Sequence, residues 1–199
     1  MESRTDLLIE EQEVVTGSEQ LEAERQRRLR QFQGTLCHEF LEAYTLQPMA
    51  AEGALAALEP RWQRQLERLG ATSQEARASN RKACQQLLRA VTGDHAWIFD
   101  PEADGASELH LARSAKQGSE EFHSHYAVDR TVMRNGERWI IDYKTAQQPE
   151  GFTTEQFINT QKNEHEEKLH LYASLMAEAG QPAQRLGLYL LEIDRLVEL

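Results

Sequence analysis

The chain has 199 residues, enough for one sizeable domain, and its 40% hydrophobic and 28% charged content reads as a soluble protein able to build a core. A net charge of -11 excludes nucleic-acid binding driven by bulk charge, so any phosphate-backbone reading must find its cations locally. No apolar run approaches the roughly 18 residues that cross a bilayer. Cys37 and Cys84 are too few for a disulfide framework, a four-thiolate zinc site or an iron–sulfur cluster.

In chain order, residues 1–18 read as a flexible acidic lead-in or the end of a linker, with no basic start before an apolar segment and so no secretory signal. Both thiols fit a reducing cytoplasm, the expected compartment. From Glu19 to Tyr44 strong helix formers dominate. Gly34 is expected to split this stretch into a charged helix and a second one with Leu36, Phe40, Leu41 and Tyr44 on its apolar face, ended by Pro48. The next helix is expected to be interrupted near Pro60 and to stop at Gly70. A further helix is capped by Thr72 or Ser73 and ended by Gly93.

After Asp100 the character changes. Leu109 and Leu111 alternate with polar neighbours in a first strand, and two more strands meet at Asn135-Gly136, a strong hairpin signal. Residues 153–179 return to helix, ending at Gly180 with Pro182 beyond, and "QRLGLYLLEI" reads as a last strand. The expected fold is α/β. A mixed central β-sheet flanked by helices occupies 107–199, and a mostly helical part, 19–106, belongs to the same structural domain.

The run "RWIIDYKTA" carries the chemistry. Trp139, Ile140, Ile141 and Tyr143 are strand residues, while Asp142 and Lys144 fall on one face by alternation. Pairing about the Asn135-Gly136 turn sets Asp129 opposite Asp142. Two opposed carboxylates repel unless a cation lies between them, and a divalent ion with Lys144 beside it resolves the conflict. Two carboxylates with few other dedicated ligands suit Mg²⁺, with Mn²⁺ as its substitute. The competing reading pairs Asp129 with Arg130 or Arg138, and Asp142 with Lys144, as ordinary ion pairs.

These residues resemble a known family. "DYK" on the second hairpin strand, the upstream "VDR" and a downstream helix ending "LHLYA" are similar to the PD-(D/E)XK nuclease superfamily. More narrowly they resemble the RecB-like nuclease domain at the C-terminus of exonuclease V-type, UvrD/Rep-related helicase–nucleases. "GTLCHEFLE", "TGDHAWIF" with "SELHL", and "RLGLYLL" resemble further blocks in the same order, from about Gln31 to Leu191. The resemblance implies an αβββαβ core. It also implies a Mg²⁺-dependent deoxyribonuclease, an exonuclease hydrolysing phosphodiester bonds in DNA recombination and repair. DNA is the implied partner, as single strands supplied by a helicase in the same parent chain or a partner subunit.

By the same resemblance, His38, Asp129, Asp142 and the carbonyl of Tyr143 hold the metal, and Lys144 is the catalytic lysine. Glu42, one helical turn after His38, is a candidate support for it, with a solvated helix charge the favoured reading; Glu108 is expected to brace the first strand or the site's edge without ligating. The family's downstream helix carries Gln four residues before Tyr. Here Tyr172 is kept, Lys168 stands at the Gln position and His165 where an earlier Tyr is usual, so Lys168 and Tyr172 are expected to position substrate.

His123 and His125 alternate on a strand with no further zinc-spaced ligand and read as solvent-facing. "RQRRLRQ" has two readings, a phosphate-backbone track or a solvated helix face, and the "EAE" just before it favours the solvated face. No Walker A motif is present, so no nucleotide-binding P-loop or motor is expected on this chain: it reads as the nuclease part alone, an excised domain or a stand-alone version. The contrasting reading is a catalytically inactive nuclease-fold module for DNA binding or helicase docking.

Overall fold

A computed structural model describes residues 17–47, 49–117 and 120–199, with no side-chain description for 114–123. The acidic lead-in up to residue 16, Pro48 and the side chain of His123 therefore lie outside the described residues. Three helices come first: α1 (Gly17–Leu46), α2 (Ala51–Arg68) and α3 (Ser73–Thr92). The strands β1 (Gly105–Gln117), β2 (Glu120–Arg134) and β3 (Glu137–Lys144) follow, then α4 (Thr154–Glu178), β4 (Arg185–Leu190) and β5 (Arg195–Glu198).

Local chemistry marks the boundaries. α3 starts on a capping box in which the Glu75 amide donates to Thr72 Oγ1 at 3.2 Å and the Thr72 amide donates to Glu75 at 2.7 Å. Thr153 and Gln156 repeat the device at the start of α4. α2 ends on Gly70 with φ +97°: the Gly70 amide donates to the Glu67 carbonyl and the Ala71 amide to Leu66, a Schellman pair that only a left-handed residue closes cheaply.

Two expected helix breaks are absent. α1 runs unbroken through Gly34, because one glycine costs a helix only about 1 kcal/mol and the flanking apolar face is buried. A Cβ at Gly34 would stand 2.8 Å from Thr145 Oγ1, so the glycine serves close approach to the chain after β3. α2 likewise passes through Pro60. Ala56 and Pro60 both lie on its exposed side, where water replaces the hydrogen bond that proline cannot donate. The chain also adds a strand after the one expected to be last: β5 pairs antiparallel with β4.

The sheet order is β1-β2-β3-β4-β5, with β3 and β4 parallel across α4 and the other neighbours antiparallel. The β2–β3 turn places Asn135 and Gly136 at positive φ, which matches the twist of a tight hairpin. α4 covers one face through Phe157, Leu169, Tyr172 and Met176 against Ile140, Leu188 and Leu190. On the other face Leu36, Phe40, Leu41, Leu87 and Val91 meet Ile141, Tyr143 and Tyr189. Each such fully buried side chain contributes roughly 1.5–3 kcal/mol. This is the mixed α/β architecture expected, with helices on both sides of the sheet at the end of β3.

Candidate active site

Three strands and two helices converge on one row of carboxylates. Backbone pairs between β2 and β3 run from Arg134↔Glu137 to Arg130↔Ile141, and Asp129 and Asp142 are the next residues beyond that last pair. On the other side Ser107↔Arg130 and Leu109↔Val128 bracket Glu108, setting it opposite Asp129. Glu108 and Asp129 thus stand abreast on β1 and β2, with Asp142 just past the stretch of β3 paired with β2. Glu108 takes φ +47°, a left-handed conformation that strains a residue other than glycine.

α1 delivers the imidazole. The buried Cys37 and Phe40 fix the helix face, and His38 lies half-buried beside them with its ring 5.6 Å from that of Tyr143. Its Nδ1 is 3.8 Å from Asp129 Oδ2. Donor atoms of His38, Glu108 and Asp129 all lie within 4.8 Å of one another, a separation that one cation can bridge. Asp129 Oδ2 also accepts the Tyr143 backbone N–H at 2.7 Å. Tyr143 thus gives Asp129 its amide, beside the carbonyl that the resemblance assigns to the metal.

Asp142 is engaged differently. It is 1% exposed, and its two oxygens face two ammonium groups: Lys144 Nζ at 2.5 Å and Lys168 Nζ at 3.0 Å. Lys168 also sits 5.2 Å over the ring of Tyr172, which α4 buries behind it. Lys168 is thereby a partner of the strand motif itself. Half-buried His165 lies one turn before Lys168; burial and then Lys144 hold its pKa below the usual histidine value.

The electrostatics separate the two aspartates. Burial, and then the charge of Asp142, push Asp129 up to about 6, against the pull of His38, the Tyr143 amide and Lys144. Burial opposes the charge of Asp142 too, but Lys144 and Lys168 outweigh it and hold that carboxyl below the ordinary range. One carboxylate is balanced by lysines; the other, with Glu108 and His38 around it, is short of positive charge. That deficit, on a donor set of two carboxylates and an imidazole, fits a divalent cation.

The model of the PD-(D/E)XK nuclease superfamily matches residues 15–198. The chain belongs to this superfamily. A search of curated proteins finds no significant match. Among solved structures, SSO0001 is similar at 14% identity over 85% of this chain and 76% of that one, with a TM-score of 0.36. The protein VC1899 from Vibrio cholerae is similar at 15% identity over 82% of this chain and 47% of that one, with a TM-score of 0.26. Membership implies nuclease activity dependent on a divalent metal, and no helix among the described residues of this superfamily member is long and apolar enough to cross a membrane.

Some sequence-level expectations meet different surroundings. Among the described residues Glu42 shows only its carbonyl in a hydrogen bond, accepting from Thr45 Oγ1 at 2.7 Å, and its carboxylate makes no pair with His38. Arg130 turns from Asp129 and donates to the carbonyls of Ile98 and Asp100. Glu108, expected to brace the edge, stands in the donor cluster. Its signal was available in the β1–β2 register, because pairing Gln117 with Glu120 carries Glu108 opposite Asp129. His165 was marked in the sequence only by standing where the family's helix usually carries an earlier Tyr.

Proposed function

We propose that the chain is a Mg²⁺- or Mn²⁺-dependent DNA nuclease that hydrolyses phosphodiester bonds at the His38–Glu108–Asp129–Asp142–Lys144 cluster. The observation that carries this reading is the donor triad of His38, Glu108 and Asp129 beside a lysine-balanced Asp142, in a chain of the PD-(D/E)XK nuclease superfamily.

His38, Glu108 and Asp129 would hold the cation, with Asp142 joining them when a lysine yields an oxygen. Such an ion supplies a bound water of lowered pKa and neutralises charge on the phosphate under attack. Lys144, anchored on Asp142, keeps its ammonium at the place where the attacking water and the developing oxyanion need a positive neighbour. The Tyr143 amide fixes Asp129 in one orientation, so the donor set is preorganised. Lys168 places a second ammonium on the α4 side, suited to a nonbridging phosphate oxygen.

The RecB-like pattern of "GTLCHEFLE", "DYK" and "LHLYA" favours an exonuclease on single strands, working beside a helicase in repair or recombination. A helicase that delivers the strand also answers the electrostatic difficulty posed by a net charge of -11. One observation favours the inactive binding module instead: both Asp142 oxygens are held by lysines, which opposes metal binding there. Labelled single- and double-stranded linear DNA with Mg²⁺, Mn²⁺ or EDTA, beside Asp142→Ala protein, separates the two. Metal-dependent cutting lost in the variant is expected; DNA binding with no cutting in any metal would establish the module.

A further inference from the structure

We propose that a single DNA strand leaves the catalytic cluster along α1 toward its N-terminal half, with Arg30 contacting a phosphate several nucleotides from the scissile one. This rests on the nuclease reading above and adds a substrate track to it.

The cluster opens into a groove between α1 and the segment after β3. Its first stretch, about 440 Å³, runs from His38 and Lys144 past Thr35 to Gln31 and Thr145. A second stretch of about 610 Å³ shares Gln31, Thr145 and Ala146 with the first and continues to Arg30 and Gln147. Gly34 keeps the seam between the two walls close, since any Cβ there would meet Thr145. Among the described residues Glu150 is the single carboxylate lining either stretch, a local exception in an acidic chain. Besides Arg30, His38 and Lys144, the polar walls are amides and hydroxyls, which hold a phosphate or sugar without reading sequence.

Of Arg25, Arg27, Arg28 and Arg30, Arg30 is the one that lines the groove, and it shares with Arg28 the lack of an ion pair among the described residues. Arg25 is committed to Glu22 at 2.6 Å and to Glu75 at 2.8 Å, tying α1 to the start of α3. Arg27 faces Glu24 at 4.0 Å. Arg30 is exposed, lines the groove, and makes no hydrogen bond or ion pair among the described residues. It lies eight residues before His38, about 12 Å along a helix. At about 3.4 Å per nucleotide, the spacing along a duplex strand, that is at most roughly three or four nucleotides, and fewer for an extended single strand.

The test is binding of a fluorescent 12-nucleotide single strand, with Ca²⁺ holding cleavage back, to wild type, Arg30→Ala and Arg28→Ala. Arg28 is exposed on the same helix outside the groove, so it controls for bulk charge. Arg30→Ala is expected to weaken binding about fivefold or more and to lower the salt slope by about 1, with Arg28→Ala near wild type. With Mg²⁺, KM for the strand should rise while kcat holds, and thymidine 5′-p-nitrophenyl phosphate, which has no strand to reach Arg30, should be turned over as by wild type. Equal behaviour of Arg30→Ala and Arg28→Ala on the strand overturns the track while leaving the nuclease. Arg30-dependent binding without cutting by wild type overturns the nuclease and leaves the track. No binding by wild type overturns the track whatever it cuts, and equal Arg30 dependence on a duplex overturns the single-strand assignment.

Discussion

Glu108 stands opposite Asp129 across the β1–β2 pairing, in a left-handed conformation, with their carboxylates and the His38 imidazole within 4.8 Å of one another. A strained backbone that draws like charges together is tolerated where a cation is to be bound. If Glu108 is a ligand rather than a brace, Glu108→Gln should weaken Mn²⁺ binding at least about tenfold by calorimetry. Unchanged affinity would return Glu108 to the edge-bracing role.

The same strain gives a stability prediction free of any metal. At φ +47° an alanine suffers the left-handed penalty and a glycine does not. In metal-free protein, Glu108→Gly should therefore exceed Glu108→Ala in stability by about 1 kcal/mol, measured by urea unfolding.

Asp129 has a pKa raised by burial and by Asp142 to about 6, above the ~3.9 of an unfolded aspartate. The folded state binds this proton more tightly, so the group's contribution to stability is complete below about pH 4 and is lost as pH rises through about 6. Metal-free Asp129→Asn should be more stable than wild type by about 1–3 kcal/mol at pH 7.5, with the gap closing toward pH 4. Asp142, whose pKa is depressed by its lysines, acts in the opposite sense and is common to both proteins. Because a cation must displace the Asp129 proton, Mn²⁺ affinity should fall about tenfold per pH unit below pH 6.

Lys144 and Lys168 share Asp142 but should separate kinetically. Lys144→Ala is expected to lower kcat by about 10²–10³ with Mn²⁺ binding retained, the scale of losing a preorganised positive group. Lys168→Ala should cost less in kcat and strengthen metal binding, because it frees one Asp142 oxygen. Weaker Mn²⁺ binding in Lys168→Ala would show that the lysine organises the site instead.

Gly34 and Thr145 meet at the seam between α1 and the segment that follows Lys144. Gly34→Ala gains helix propensity but drives a methyl into Thr145 Oγ1, so its effect should depend on Thr145. A cycle with Thr145→Ala should show a coupling of about 1 kcal/mol or more in unfolding free energy, with activity restored in the double variant. Additivity would mean that the seam relaxes freely.

Much of this site was legible one strand at a time. The alternation of Asp142 and Lys144, the Asn135-Gly136 turn and the register it sets are local, because side chains in a strand alternate and a two-residue turn fixes what lies opposite what. Helix identities were equally local, whereas the expected breaks at Gly34 and Pro60 failed because burial along one face overrides a single unfavourable residue. What the linear chain did not carry is which groups are balanced. Lys168 reaches Asp142 from 26 positions away and only because α4 packs across β3, and Arg25 and Arg30, five residues apart, differ in that the fold brings Glu75 to one of them alone. Charge partners are chosen by proximity in space, where a few ångströms decide whether burial leaves a carboxylate neutralised by lysine or waiting for a metal. The residue types were written in the sequence, and their electrostatic roles were decided by packing.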